Sequence, residues 1–385
     1  MLMYIRTIIY MATVTISLPN HTYNVCIELG ALNNFSKILK EHFKEQLSAQ
    51  TCGLVFDAHL QSLSTVKPNY VEQVITSLNQ SDFNVVSVPF QATETTKTLS
   101  SVASICDALL DGKLERTSPV ISLGGGITGD TTGYVASSLL RGVPFIQCPT
   151  TLLSMVDASV GGKVGVNTRH GKNLLGAFYQ PEMVIIDPSV LISLSSRDLR
   201  CGVAECIKHG LLSGRKLFDW LQKNVGNLSK IDNSTLEFTK DLIQRNVSFK
   251  ASVVTQDEKE HGIRATLNLG HTFAHAIETI TGYDSFNHGE AVALGCVAAS
   301  WLSYKIGNIS KAIYEEIVEL FALSGLPTNT ELPSVDLLME SMTHDKKVQN
   351  KSIRLILLHD IGKPYITSQT PTELVKDAWK AIGAK

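Results

Sequence analysis

The stretch "SPVISLGGGITGDTTGYVASSLLRG", residues 118 to 142, decides the fold. Four apolar or small residues precede a run of three glycines, and a helix-forming segment follows. That order reads as a buried strand, a tight turn and a helix. The turn also satisfies G-x-G-x-x-G, with Gly124, Gly126 and Gly129. Backbone amides at such a turn can approach a phosphate at the helix N-terminus. The pattern fits a tight turn without a ligand about equally well.

The surrounding sequence extends this unit. "TCGLVFDAHL" (51–60) reads as a strand ending at Asp57, and "FNVVSVPF" (83–90) as another. "SSVASICDALLDG" (100–112) has helical spacing, while "PFIQCPT" (144–150) and "EMVIIDPS" (182–189) read as buried strands. Strands alternating with helices predict a Rossmann-like parallel sheet covered on both faces. No acidic residue ends a strand about 20 residues beyond the glycines, as the usual dinucleotide fingerprint requires. Asp57, and Glu94 with Lys97 in "QATETTK" (91–97), are the candidates to replace it.

Beyond about Leu191 the pattern becomes mainly helical. The segments are 195–214, 234–260, 267–282 and 289–307, with a late hairpin strand in "SIRLILLHDIG" (352–362). The expected division is therefore an α/β domain over 1–190 and a mainly α-helical domain over 191–385. A chain of 385 residues suits two domains.

Composition narrows the function. The 34 Lys and Arg against 36 Asp and Glu argue against a nucleic-acid protein. Seven dispersed cysteines without a C-x-x-C pair point to reduced thiols and a cytoplasmic setting. The start, "MLMYIRTIIYMATVTISLPN", contains Arg6 and is too short to span a bilayer. It reads as a short extension, with Met11 an equally good beginning, and no membrane association is expected.

Three stretches concentrate chemistry. Residues 150–178 place Asp157, Lys163, Lys172 and Asn173 among glycines in an otherwise uncharged run, which suggests an irregular segment lining a cavity. "GGKVG" (161–165) is not a P-loop, since the first glycine is missing and Val164 replaces the hydroxyl residue. "GVAECIKHG" (202–210) sets Glu205 and Lys208 three apart on one helix face, among apolar neighbours. A carboxylate buried there needs a cation or a metal. "TLNLGHTFAHAIE" (266–278) carries His271 and His275, and "FNHGEAVALG" (286–295) adds His288. Two imidazoles with a carboxylate are a common ligand set for catalytic zinc, so Glu205, His271 and His288 form a candidate site. Arg264 and Asn268 precede His271 on what reads as the same element. Lys250 and the pair Lys346–Lys347 in "HDKKV" are further basic candidates.

In this order, "SLGGGITGD", "LLRGVPFIQCPTTLLSMVDASVGGKVGVN", "GKNLLGAFYQP", "GVAECIKHG", "DEKEHGIRATLNLGHTFAHAIE", "HGEAVALG" and "DKKV" resemble the sugar-phosphate cyclase family, in its 3-dehydroquinate synthase branch, over about residues 20–365. The resemblance implies an enzyme that binds NAD in its N-terminal domain and zinc or cobalt between the domains. The implied reaction converts 3-deoxy-D-arabino-heptulosonate 7-phosphate to 3-dehydroquinate and phosphate, in the shikimate pathway of aromatic amino-acid biosynthesis. A ring alcohol is oxidised by NAD, phosphate is eliminated, the ketone is reduced, and the ring opens and recloses as a carbocycle. NAD is regenerated, so the net reaction is that of a lyase.

The resemblance assigns the metal to Glu205, His271 and His288. It places substrate on Arg141, Asp157, Lys163, Lys172, Asn173, Lys250, Arg264, Asn268, His275 and Lys347. Catalysis falls to Lys163, Lys208, Lys250, Arg264, Asn268 and His275, and His275 becomes a substrate-side group rather than a ligand. The cofactor positions are Asp57, Glu94, Lys97, Gly124, Gly125, Gly126, Gly129, Asp130, Thr150, Thr151, Lys163 and Lys172. The arginine at Arg141 would reach a partner's site, implying a homodimer. Departures are Met155 for a usual glutamine, Val164 for a usual threonine, and no glycine before Glu94. The rival readings are a metal-dependent polyol dehydrogenase, a valiolone synthase-type cyclase, and a catalytically dead binding protein. The phosphate lysines, the pair Asn268 and His275, and the complete ligand set stand against them in turn.

Overall fold

The computed structural model describes residues 12–43, 50–63, 65–228, 230–282, 285–344 and 353–385. Arg6 and the rest of the first eleven residues, and Lys346 with Lys347, lie outside them. The chain packs as two compact units, Met1–Ser193 with Asn233–Thr255, and Leu194–Asp232 with Gln256–Lys385.

The first unit is an α/β layer structure. In chain order it contains β1 (Ala12–Leu18), β2 (His21–Ile27), α1 (Phe35–Phe43), β3 (Thr51–Asp57), α2 (Ala58–Gln61) and α3 (Tyr70–Asn79). Next come β4 (Asn84–Phe90), α4 (Leu99–Asp111), β5 (Val120–Gly124), α5 (Gly126–Ser138) and β6 (Phe145–Pro149), then β7 (Lys163–Thr168), β8 (Gly171–Phe178) and β9 (Met183–Ile186). Seven strands form one sheet in the order β1-β2-β9-β6-β5-β3-β4. Only β1 and β2 pair antiparallel; the others run parallel. β5, β6 and β9 are buried along their whole length, as a sheet covered on both faces requires.

The strand order reverses between β3 and β5. β4 lies on one side of that pair and β6 on the other, which makes the crevice at the carboxyl ends of β3 and β5 the topological switch point. Asp57 ends β3 and Gly124 ends β5.

Three features differ from the sequence reading. The apolar start continues into β1, an edge strand rather than an extension alone. The glycine-rich run 150–178 is partly regular: β7 and β8 form an antiparallel hairpin in which Gly165 faces Gly176. A side chain at either glycine would strike the opposite backbone, which explains the glycine density there.

The second unit is helical, with α6 (Ser196–Ser213) and α7 (Arg215–Lys223) before α8 (Leu236–Gln256). α8 supplies the third difference, because it packs with the first unit although it lies inside the helical half of the sequence. The second unit resumes with α9 (His271–Thr281), α10 (His288–Lys305), α11 (Lys311–Leu323), α12 (Val335–His344), the hairpin β10 (Leu355–Leu358) and β11 (Pro364–Thr367), and α13 (Thr372–Ala381). α10 is buried nearly all round, from Gly289 to Ser303, and serves as the central helix of this unit. All seven cysteines are free thiols, six of them buried. No helix among the described residues is long and apolar enough to cross a membrane.

Candidate active site

The second unit gathers a carboxylate and two imidazoles. Glu205 lies mid-way along α6 and is fully buried. His271 is the first residue of α9 and His288 the first of α10. Glycines bring these helix starts together. Gly270 caps α9 in the left-handed region, φ 79°, and lies against Gly295 of α10, where neither position has room for a side chain. Gly289 does the same for α10 against α6 at Cys201, one turn before Glu205. An Asn287–Glu290 capping box fixes the start of α10.

His288 Nε2 lies 3.4 Å from Glu205 Oε1, and His271 Nε2 lies 3.7 Å from the same oxygen. One ligand atom from each of the three residues falls within 4.8 Å of the other two. Each imidazole is also held from behind. His271 Nδ1 donates to the Leu269 carbonyl at 3.2 Å, and His288 Nδ1 donates to Glu278 Oε1 at 3.1 Å. A carbonyl or carboxylate can only accept, so both Nδ1 atoms carry a proton and both Nε2 atoms are turned toward Glu205.

The electrostatics suit a cation. Burial disfavours charge on Glu205, but Lys208, His288 and His271 outweigh it and hold the carboxyl well below its usual range. Burial and the Lys208 charge push His271 well down, which keeps it neutral. Burial also works against a charge on His288, yet its bonds to Glu205 and Glu278 prevail and raise it to about 9. Glu205 thus holds the Lys208 ammonium and, with Glu278, draws a proton onto His288, so positive charge is favoured there. Lys208 Nζ pairs with Glu205 Oε2, but neither carboxylate oxygen completes an aligned hydrogen bond despite full burial. A buried carboxylate without an aligned hydrogen bond, faced by two imidazole nitrogens, fits a divalent metal of the zinc or cobalt type, which would take the place of the proton that His288 holds at Nε2.

His275 lies one turn after His271, with ring centroids 5.6 Å apart, and stands outside this three-ligand cluster. Arg264 and Asn268 are not on the helix of His271, as the sequence reading had it. They occupy a separate 3₁₀ segment, Ile263–Asn268, which ends where Leu269 and Gly270 break the helical path. Arg264 is buried and donates to the Glu258 carbonyl, while Asp257 accepts the backbone N–H groups of His261, Gly262 and Arg264. Asn268 Nδ2 donates to Glu260 Oε1 at 2.6 Å.

The first unit holds a second constellation. Gly124 must be small because a Cβ would sit 2.4 Å from Thr128 Oγ1, and Gly125 caps α5 without a side-chain bond. The first-turn amides of α5 therefore lack a capping side chain. Gly129 lies one turn in, against Gln147. Thr150 N donates to the Gly124 carbonyl, and Thr151 opens the next turn by exchanging bonds with Ser154. Asp57 uses its carboxylate to cap α2 through His59 N.

Lys97 is buried and bonds Asp130 Oδ2 and Asn173 Oδ1, each at 2.6 Å. Glu94 pairs with Lys172 at 3.2 Å. Asn167 ties the two pairs together: its Nδ2 donates to Glu94 Oε2, its Oδ1 accepts from Asn173 N, and its own N–H donates to the Lys97 carbonyl. Five sequence candidates thus share one network, and Asn167 is the member that the sequence reading missed. Elsewhere in the unit, Lys250 on α8 donates to the Asp157 carbonyl at 2.5 Å and pairs with its carboxylate. Lys163 is exposed at the start of β7. Arg141 is exposed too, and it follows Leu140 in two successive left-handed residues, φ 51° and 70°. Lys347 lies outside the described residues.

Two family models match consecutive stretches, the 3-dehydroquinate synthase N-terminal domain over residues 87–201 and its C-terminal domain over 202–348. A 3-dehydroquinate synthase from Crocosphaera subtropica is 41% identical over 366 residues, covering 94% of this chain and 97% of its own length. The chain belongs to the 3-dehydroquinate synthase family. As a member of that family it is an enzyme. Among solved structures, the 2-epi-5-epi-valiolone synthase ValA of Streptomyces hygroscopicus subsp. jinggangensis 5008, with NAD+ and Zn2+ bound, aligns at TM-score 0.82 and 27% identity, covering 95% of this chain and 98% of its own. A probable glycerol dehydrogenase from Sinorhizobium meliloti 1021 aligns at TM-score 0.61 and 14% identity, covering 93% of this chain and 95% of its own, a likeness of fold alone. Two residues of this 3-dehydroquinate synthase family member, Glu278 and Gly289, were not singled out from sequence. Glu278 lies seven residues after His271, hence on the same helix face, and that spacing was the available signal.

Proposed function

We propose that this chain converts 3-deoxy-D-arabino-heptulosonate 7-phosphate to 3-dehydroquinate and phosphate, using NAD and one divalent metal. The observation that carries the reading is the buried Glu205 carboxylate, without an aligned hydrogen bond at either oxygen, facing the Nε2 atoms of His271 and His288. That donor set accompanies a relative of 41% identity over nearly the whole chain that bears the 3-dehydroquinate synthase name.

Glu205, His271 and His288 would hold the ion, and the switch-point residues Asp57, Glu94, Lys97, Gly124–Gly126, Gly129, Asp130, Thr150 and Thr151 would hold NAD. Bound, the two supply a hydride acceptor and a Lewis acid for a ring alcohol. Lys208, the buried partner of Glu205, holds a proton at Nζ beside the metal carboxylate. Arg264 and Lys250 are cations whose water is already removed by burial, so a sugar phosphate meets them at low desolvation cost. Asn268 and His275 offer a neutral amide and an imidazole to the sugar hydroxyls. Lys163, Lys172 and Asn173 on the β7–β8 hairpin would add to the substrate-binding set, Asp157 would serve it as a hydrogen-bond acceptor for a sugar hydroxyl, and Lys347 belongs to it by sequence. Exposed Arg141, on its left-handed backbone, is the group that a second copy would receive in a homodimer. A cytoplasmic location accords with the free thiols.

The test is phosphate release from the heptulosonate phosphate by purified protein with NAD and zinc or cobalt, with sedoheptulose 7-phosphate in parallel. Release and a carbocyclic product from the first sugar alone is the expected result. Turnover of sedoheptulose 7-phosphate alone would replace this reading with a valiolone synthase-type cyclase.

A further inference from the structure

Resting on the metal assignment above, we propose that Glu278 is a positioning residue: by accepting the Nδ1 proton of His288 it turns that imidazole so that Nε2 faces Glu205. Glu278 lies on α9 and is itself buried, at 5% exposure, a costly place for a carboxylate without a fixed partner. Its Oε1 lies 3.1 Å from His288 Nδ1, while Nε2 of the same ring lies 3.4 Å from Glu205 Oε1. The two carboxylates thus grip opposite ring nitrogens, so Glu278 stands behind the ligand and not among the ligands.

The two histidines are treated differently. His271 is held by the Leu269 carbonyl, a neutral acceptor built into its own chain turn. His288 opens a separate helix and has a charged acceptor from α9 instead. A carboxylate behind an imidazole fixes its tautomer and makes it a stronger donor to the ion. Glu278 therefore links the register of α9 to the ring orientation at the start of α10, the two helices that carry the histidine ligands.

The experiment uses the full-length protein loaded with Co2+, whose affinity and visible absorption report the ligand field. Glu278→Leu should weaken Co2+ binding by about 10–100-fold and alter the absorption bands. Glu278→Gln, whose amide oxygen still accepts from Nδ1, should recover most of the affinity. Histidine 15N spectra of the zinc-loaded wild type should show His288 protonated at Nδ1 and metal-bound at Nε2. That measurement stands whether or not the Leu variant folds. Wild-type affinity and bands in Glu278→Leu, a loss in Glu278→Gln as large as in Glu278→Leu, or His288 bound through Nδ1 would each overturn the inference. A wild-type protein that binds no Co2+ or Zn2+ would instead overturn the metal assignment beneath it.

Discussion

Gly289 in the first turn of α10 meets the backbone of Cys201 in α6, where a Cβ would sit 2.4 Å from the Cys201 Cα and 2.5 Å from its carbonyl oxygen. Backbone cannot yield as a flexible side chain can, so Gly289→Ala must push the two helices apart. The displaced neighbour is His288, and the fixed one is Glu205 a turn below. We expect Gly289→Ala to destabilise the protein by about 1–3 kcal/mol through overpacking. Zinc affinity should fall along with activity. Thermal unfolding with a chelator present and zinc titration read the two effects separately; an Ala variant with wild-type zinc affinity would refute the geometric link.

Lys208 and Glu205 are both buried, at 2% and 0% side-chain exposure. Removing the ammonium leaves a buried carboxylate with two imidazoles and no permanent cation. Lys208→Met should therefore cost the metal-free protein about 3–5 kcal/mol, the usual result of breaking a buried pair from one side. Divalent zinc replaces part of the lost charge, so it should raise the melting temperature more in the variant than in the wild type. Equal zinc-induced shifts in the two proteins would contradict this account.

The Lys97 ammonium joins α5, through Asp130, to the β7–β8 hairpin, through Asn173. Lys97→Met should destabilise the first unit by about 2–3 kcal/mol, less than a fully enclosed pair because Asp130 keeps part of its exposure. NAD affinity should drop with it, since Asp130 and the hairpin lose a common anchor. Denaturant unfolding and fluorescence titration with NADH check both; unchanged NADH binding would detach this network from the cofactor.

Asp257 governs the placement of Arg264. Partial burial works against its charge, but the N–H groups of Gly262, Arg264 and His261 prevail and lower its pKa. A depressed carboxyl contributes stability above its unfolded value of 3.8 and loses it as pH falls through the lower folded value. The loop before α9 should therefore keep its shape at pH 5 and open only below about pH 4. Asp257→Ala should mimic that opening at neutral pH, raising KM for the phosphate substrate about tenfold with a smaller change in kcat. Hydrogen exchange at residues 261–264 follows the opening directly. An unchanged KM would show that Arg264 holds its position without the turn.

The sequence made the α/β layer and the mainly helical half legible because both rest on periodicity, which is local. The strand–glycine–helix unit at 118–142 appears as β5 and α5, and the apolar surroundings of Glu205 and Lys208 correctly suggested burial. What stayed hidden depends on contacts between distant segments. α8 has ordinary helical spacing, and nothing in its own residues says which unit it joins. Gly289 matters only because Cys201 lies 88 positions away in sequence and touches it. Arg264 and Asn268 looked continuous with His271 because a 3₁₀ turn and an α-helix share similar short-range spacing; the left-handed Gly270 breaks them apart. Asn167 carried no signal of its own, as a lone amide in a glycine-rich run.

The return of α8 to the first unit has a consequence for dividing the chain. A cut after Ser193, where the sequence changes character, would release an α/β fragment lacking the helix that carries Lys250. Its complement would carry that helix away from the unit it packs with. Neither half is then a transplantable module: exchanging one with a relative exchanges one side of the Lys250–Asp157 pair as well. Chimeras in this family should work only when residues 233–255 travel with the N-terminal segment.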